Sequence, residues 1–538
     1  MIRLTAVATL LVSLCVACPA CNSRRAHPVT IDTRKTLGYL ASDALEGRGP
    51  GTAGLDRAAD YIAQEFQSIG LRKMRGEKDY FQPFEMTTAT ELGPKTALRV
   101  GEHPFSPHTD FMPLSLSGEG DFHAPVVFAG YGVKSPEHNY DDYAGLDVKG
   151  KVVLAMRYEP HDALGKSKFA EQGWSSAAVF TEKARHARDH GAVALLIVTP
   201  PDFAKDDRLV GLAGPGGGGA VGALPVVQIK QTVAEELLRR GGSPDLATLQ
   251  KKIDETVKPA SFALSGVDVT GNVDIEQTKV TVKNVVGYLP GRKAGEYVVV
   301  GAHYDHLGRG GMASLRRRGA GGKPEIHNGA DDNASGTTAI MALAAEMARQ
   351  GKPDRSIIFV AFTGEEEGLL GSRYFVDHSP VPLGTITAML NLDMVGRIRT
   401  GSEHAASSTT TQTTTAQAAT QDSASGVLYV GGMGTAESFD DIVKRADAHS
   451  PLVVKDIGRG GIGPSDHMSF ALKKIPVLFL FSGLHGDYHR PSDDAEKINY
   501  DGLAEVIEFA RDLVTQLASS PKQAYVAGAD SSPMRDRR

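Results

Sequence analysis

The sequence predicts an α/β protein with a mixed, largely parallel sheet, helices on both its faces, and a β-rich insert. Three features carry that reading. Residues 280–520 alternate apolar runs with amphipathic stretches, as strands and helices of a parallel sheet do. Residues 120–265 change texture to short β runs and Gly-rich turns. Residues 30–70 read as helical and precede both.

The 538 residues suffice for two or more domains with real cores. A hydrophobic share of 41%, 23% charged residues and a net charge of −6 are ordinary for a globular protein. Nothing in that balance suggests nucleic-acid binding, which requires a basic face. Residues 1–21 read as a signal peptide: a basic start, the short apolar core Ala6–Leu14, then small residues. That core is too short to span a bilayer, and no other stretch reads as transmembrane. The three cysteines, Cys15, Cys18 and Cys21, all lie in or beside it, so the rest of the chain has no disulfide framework. Their placement resembles the lipid-attachment site of bacterial lipoproteins, but the usual Leu three residues before the cysteine is missing. Export is therefore expected, to the periplasm, a lipid anchor or the medium, with anchoring left open.

In the N-terminal part of the main domain (26–115), Ala58, Ile62, Phe66 and Ile69 fall on one helical face, and Gly70 closes that helix. The preceding Glu46–Thr52 reads as a surface loop. Within the insert (120–265), strands are expected at Pro125–Val133, Lys151–Met156, Val193–Val198 and Leu224–Ile229, with a helix at Phe180–His190. Gly214–Gly219 lacks the Lys and Ser/Thr of a phosphate-binding loop. In the main domain (280–520), expected strands are Asn284–Tyr288, Tyr297–Ala302, Ser356–Phe362, Ile386–Leu392, Val427–Val430 and Val477–Phe481. A helix is expected at Gly336–Arg349. Residues 400–425 are polar and of low complexity, which predicts a disordered surface loop, and 521–538 a flexible tail.

The residues just past each apolar strand carry the chemistry. His303-Tyr-Asp305 follows one, and His327 to Gly336, with Asp331 and Asp332, opens a helix. Glu365-Glu366 follow Ser356–Phe362, Asp393 follows Ile386–Leu392, and Val477–Phe481 leads to His485 and His489. Ligands gather outside the carboxyl ends of strands in open α/β sheets. Imidazole and carboxylate without thiolate suit Zn²⁺, with Mn²⁺ or Co²⁺ as substitutes. Two His and three carboxylates exceed one tetrahedral site and suit two ions sharing a bridging carboxylate. The second carboxylate of Glu365-Glu366 is then free to serve as general base.

These pieces resemble the secreted bacterial dizinc aminopeptidases, zinc exopeptidases with a phosphorylase/hydrolase-like fold. The matching motifs are His303-x-Asp305, Gly329–Gly336, Glu365-Glu366-x-Gly368, Asn391–Val395, Ser465-Asp-His467 and Tyr488-His489. Residues 120–265, with Gly130-Tyr-Gly132 and Asp141-Asp-Tyr143, are similar to the protease-associated domain often inserted in that family. The resemblance implies two Zn²⁺ per chain, one held by His303 and Asp393, the other by Glu366 and His489, with Asp332 bridging. It implies Glu365 as general acid/base, Asp305 orienting the His303 imidazole, and Tyr488 stabilising the tetrahedral oxyanion.

Several neighbours have plainer readings. His306, His327, His467 and His485 read as polar caps, Asp331 as a solvated or turn acceptor, and Glu367 as an exposed charge. Arg316–Arg318 reads as a solvated loop, and Asp466 as a support beneath the site or a turn cap. The implied function is release of N-terminal residues from peptides with a free N-terminus, by a metal-bound hydroxide with Glu365 as base. A carboxypeptidase or a glutaminyl-cyclase-like enzyme of the same fold is the alternative. A non-catalytic receptor-like protein is disfavoured, because such a protein is expected to have lost ligands.

Overall fold

The computed structural model describes residues 29–171, 173–212, 222–311, 313–316, 324–399 and 425–526. The signal segment, the Gly214–Gly219 loop, Arg317, Arg318, nearly all of 400–425 and the tail beyond 526 lie outside the described residues.

The main sheet has eight strands, and its centre is the part the sequence marks most clearly. Arg355–Phe362 and Ile386–Leu392 are almost wholly apolar and buried at every residue. A strand covered on both faces needs such a run. In spatial order the sheet is Phe81–Leu92, Ile275–Leu289, Arg355–Phe362, Lys293–His303, Ile386–Leu392, Val477–Phe481, Val427–Gly431 and Val453–Gly458. The four central strands run parallel. Phe81–Leu92 and Ile275–Leu289 join antiparallel, as does Val427–Gly431 on Val477–Phe481, so the sheet is mixed.

Helices cover both faces. Thr33–Leu40, Ala53–Ile69, Gly336–Gln350, Phe439–Asp447 and Tyr500–Ser519 pack one core with the sheet, while Leu370–Asp377 and His467–Leu472 close a second core on the other face. Ala53–Ile69 begins where the Thr52 hydroxyl accepts from the Leu55 N–H at 3.2 Å. It ends at Gly70, whose φ of 88° is the left-handed conformation of a helix cap. Its buried stripe includes Ala58, Ile62, Phe66 and Ile69.

Two strands of this sheet are not visible in the sequence pattern. Phe81–Leu92 carries polar residues throughout, and Val453–Gly458 has only Val453 and Val454 as an apolar start. Both are edge strands, and an edge gains its hydrogen bonds without needing an apolar run.

A second eight-stranded sheet gathers His103–Phe105, Ala97–Val100, Phe262–Val273, Gly120–Phe128, Val152–Met156, Ala194–Val198, Val226–Ile229 and Phe111–Pro113. Strands at 97–113 thus pair within the insert's sheet, although the sequence pattern groups residues up to 115 with the main domain. The insert also runs past 265, to Val273. The sequence offers no break there, because Phe262–Val273 and Ile275–Leu289 succeed each other with one residue between.

The segment Glu46–Thr52 is not the surface loop its glycines suggest. Gly47, Arg48 and Gly49 are buried, and Arg48 is 1% exposed. A Cβ at Gly47 would lie 2.4 Å from the carbonyl oxygens of Gly308 and His327, so this segment presses directly against two loops of the site.

His467, at the start of its helix, is also buried, and its ring stacks on Phe479 with centroids 4.5 Å apart. Burial pulls its pKa down to about 4. A histidine buried neutral contributes stability above its unfolded value near 6.5, and that contribution drains away as pH falls towards 4. Replacing it by Phe should remove about 3 kcal/mol of that acid sensitivity. Thermal melts between pH 7 and pH 4 should therefore fall less steeply for His467→Phe than for the wild type.

Candidate metal centre

The carboxyl ends of the central parallel strands converge on one buried group of acceptors. His303, the last residue of its strand, directs Nε2 at Asp332 Oδ1 and Asp393 Oδ1, each at 3.3 Å, with Glu365 Oε2 at 3.9 Å. His489 directs Nε2 at Asp332 Oδ2 and Glu366 Oε2, each at 3.2 Å. The two oxygens of Asp332 thus face two different imidazoles. His303, Asp332 and Asp393 form one group able to hold a cation, and His306, Asp332 and Glu366 form a second, with His489 against the same Asp332 and Glu366.

The geometry rests on a network of braces. Asn333 donates Nδ2–H to the Leu392 carbonyl at 3.0 Å, and its Oδ1 accepts from Gly336 N and Met394 N. This ties the loop of Asp332 to the strand end that carries Asp393. A Cβ at Gly336 would lie 2.4 Å from both Asn333 Oδ1 and the Leu392 carbonyl, so only glycine fits there. Asp493 Oδ2 accepts the backbone N–H of Asp331 and of Asp332, at 2.9 and 3.1 Å. Ser465 donates to Asp393 Oδ2 at 2.7 Å and accepts from Asn391.

The electrostatics share one cause, a surplus of carboxylate in a buried space. Burial pulls the two imidazoles down, but the carboxylates around them win. His303 rises well above its ordinary value, and His489 rises to about 10. Burial, reinforced by Asp393 and Glu366, pushes Glu365 well above the carboxylate range. Asp466, enclosed near the same group, is pushed by burial to about 7. Nitrogen and oxygen donors with surplus negative charge and no thiolate are the chemistry of a divalent cation site, and these residues fit one.

The other residues singled out in the sequence fall around this centre. The backbone carbonyl of Asp305 bonds His303 Nδ1 at 3.2 Å, closer than its carboxylate at 3.7 Å. That carboxylate instead accepts the Glu365 N–H at 3.2 Å. Tyr488 stacks on His489, ring centroids 3.8 Å apart. Arg316 pairs with Glu325 at 3.2 Å on the loop whose Leu315 N–H reaches the His489 carbonyl.

Three plainer readings give way. Asp331 is fully buried, not solvated: its Oδ1 accepts from Gly396 N at 2.6 Å and its Oδ2 meets His485 Nε2 at 3.2 Å. Glu367 is partly buried, and burial pushes it to about 7. His306 is no strand cap, because its Nδ1 lies 2.6 Å from Glu366 Oε1 and the ring is fully buried. It holds one Glu366 oxygen and leaves the other to His489. Its signal in the sequence is position, one residue past Asp305.

Nothing in the sequence points to Arg48 as part of this centre. Its guanidinium donates to the carbonyls of Tyr304 (2.7 Å), Asn328 (2.7 Å), Gly329 (2.9 Å) and Leu40. Despite those bonds, burial lowers its pKa to about 10. All four partners are carbonyls, so it fixes backbone between the His303 and Asp332 segments while its charge opposes the negative surplus.

Residues 284–514 match the model for peptidase family M28, and residues 122–237 that for the PA domain. Over the first of these ranges the larger domain is similar to peptidase family M28. Aminopeptidase YwaD of Bacillus subtilis is 29% identical over 276 residues, 51% of this chain and 44% of its own length. Leucine aminopeptidase 1 of Arthroderma otae is 38% identical over 255 residues, covering 44% of this chain and 58% of its own. A glutamate carboxypeptidase 2 homolog of Caenorhabditis elegans is 26% identical over 310 residues, covering 49% and 36%. The alignments thus span about half the length of these curated relatives. The aminopeptidase from Aneurinibacillus sp. strain AM-1 shares the fold over 94% of this chain and 96% of its own, with a TM-score of 0.51 and 21% identity. Among the described residues, no helix is long and apolar enough to cross a membrane.

Arg48→Met keeps most of the side-chain volume of this brace in the M28 domain but strands four carbonyls. Charge-assisted bonds of this kind contribute about 1.5–3 kcal/mol each at most, and they are not additive. A net loss of about 2–4 kcal/mol in denaturant unfolding is expected.

Proposed function

We propose that the chain is a zinc aminopeptidase that removes N-terminal residues from peptides, with two Zn²⁺ in the groups that share Asp332. The observation that carries this reading is Asp332 itself, one oxygen towards His303 and the other towards His489, with Glu365 beside the first group. His303 and Asp393 would hold one ion, Glu366 and His489 the other, and Asp332 both. Ions so held supply charge that polarises a peptide carbonyl and makes water a better acid.

The protein's own groups then have separate tasks. Glu365 takes the proton from the attacking water and delivers it to the leaving amine. Asp305 holds the His303 ring and the Glu365 backbone in fixed relation. Tyr488, stacked on His489, offers its hydroxyl to the developing oxyanion. The free α-amine of the peptide meets the carboxylate surplus of the site. The apolar N-terminal segment supports export of the enzyme, with or without a lipid anchor.

Glu365→Gln keeps the shape of the site and loses the base. It should retain metal while turnover falls by roughly 10²–10⁴-fold. Near-normal turnover would remove Glu365 from the chemistry. Acetylating the N-terminus of a test peptide should abolish cleavage, whereas a carboxypeptidase would cleave the blocked and free peptides alike.

A further inference from the structure

The insert carries a second convergence of acceptors at a strand edge. Gly120–Phe128, Val152–Met156, Ala194–Val198 and Val226–Ile229 run parallel side by side. Past the carboxyl end of the first comes Tyr131, past the second Glu159 and His161, and past the third Asp202. Gln250 and Asp254 sit one turn apart on the helix Leu246–Thr256. Such an edge is where α/β sheets place ligands.

His161 is 1% exposed, and its Nε2 lies 3.6 Å from Asp254 Oδ2 and 3.6 Å from Asp202 Oδ2. Its Nδ1 lies 3.1 Å from the Glu159 carbonyl, which accepts a proton only from that nitrogen. The Nε2 lone pair of the neutral ring therefore points at two carboxylates. Three acceptor atoms converge, and the Gln250 amide is the donor set among them, 3.3 Å from Nε2 and 3.1 Å from Asp254 Oδ2. The far side of Asp254 is braced as a metal-binding carboxylate is: its Oδ1 accepts from the Tyr131 hydroxyl at 2.9 Å and the His161 N–H at 3.2 Å. Phe203 and Trp174 flank the imidazole, with centroids at 4.9 and 6.0 Å.

We propose that His161, Asp202 and Asp254 form a third metal site, remote in sequence from the M28 centre, that takes a divalent cation of the zinc type. One imidazole and two carboxylates leave a fourth position for water, which suits Zn²⁺. Asp202 is 64% exposed and forms the outer wall. An ion there clamps the turn Pro201–Asp206 against the helix Leu246–Thr256 and fixes the aromatic group of Tyr158, Trp174 and Phe203 between them.

The test uses the full chain, stripped with a chelator and titrated with Zn²⁺ alone against a chromophoric competitor, with bound zinc counted per chain. Asp202→Asn lies at the surface and should leave folding intact, while weakening the extra equivalent at least tenfold. His161→Gln should remove that equivalent outright. Both variants should keep the peptidase activity of zinc-loaded protein and lose a zinc-dependent rise in the insert's melting temperature. Equal zinc counts and affinities in the wild type and both variants would overturn the site. If His161→Gln does not fold, Asp202→Asn alone decides. Neither outcome bears on the Asp332 centre, whose ligands are untouched.

Discussion

One carboxylate facing two imidazoles sets the terms for the M28 domain. Asp332 is buried, and so are Glu366, Asp393 and Glu365 around it, so the group carries more negative charge than its neighbours neutralise. Buried charge of one sign is costly unless matched, and the match here comes from imidazoles, a guanidinium and the expected cations. Asn333, Asp493 and Ser465 hold the carboxylates in place by bonds whose partners lie on other strand ends. The sheet thus positions the residues, and the braces between its ends set their spacing.

Much of this is legible in the chain. The central strands are continuous apolar runs, and the residue types after them are those of a metal centre. His303, Asp332, Glu365, Glu366, Asp393 and His489 all meet where the strand ends imply. Harder to read are residues whose role is to hold others. Asp331 looks solvated because a second Asp beside the first repels it; in the fold, His485 and the Gly396 amide absorb that charge. Arg48 lies in a Gly-rich stretch with turn chemistry, and nothing local shows that carbonyls from residues 304, 328 and 329 surround it. Long-range partners of this kind have no period and no motif. The edge strands Phe81–Leu92 and Val453–Gly458 escape for a different reason, since an edge asks little of its side chains.

The two sheets solve a similar problem in different ways. Each has parallel strands whose carboxyl ends bring together histidine and carboxylate. In the main sheet the braces run between strand ends, and two groups share one bridging residue. In the insert the acceptors are fewer, a helix supplies one of them, and a solvent-facing aspartate closes the set. The first arrangement is enclosed and the second is open on one side.

The insert leaves and rejoins the main sheet at facing positions, since Leu92 pairs with Ile275 in the antiparallel ladder. For the statistics of the chain this is a short circuit. Arg48 and Gly329 stand 281 residues apart in sequence. Once the insert has folded and Leu92 has met Ile275, the loop closed by their contact is shorter by the whole of that excursion. The logarithmic dependence of loop entropy makes the gain modest, roughly 1 kcal/mol. The same gain applies to every contact between the N-terminal helices and the strands beyond the insert. An insertion of this size can therefore be carried in the middle of a peptidase fold with little entropic burden on the contacts that build the centre.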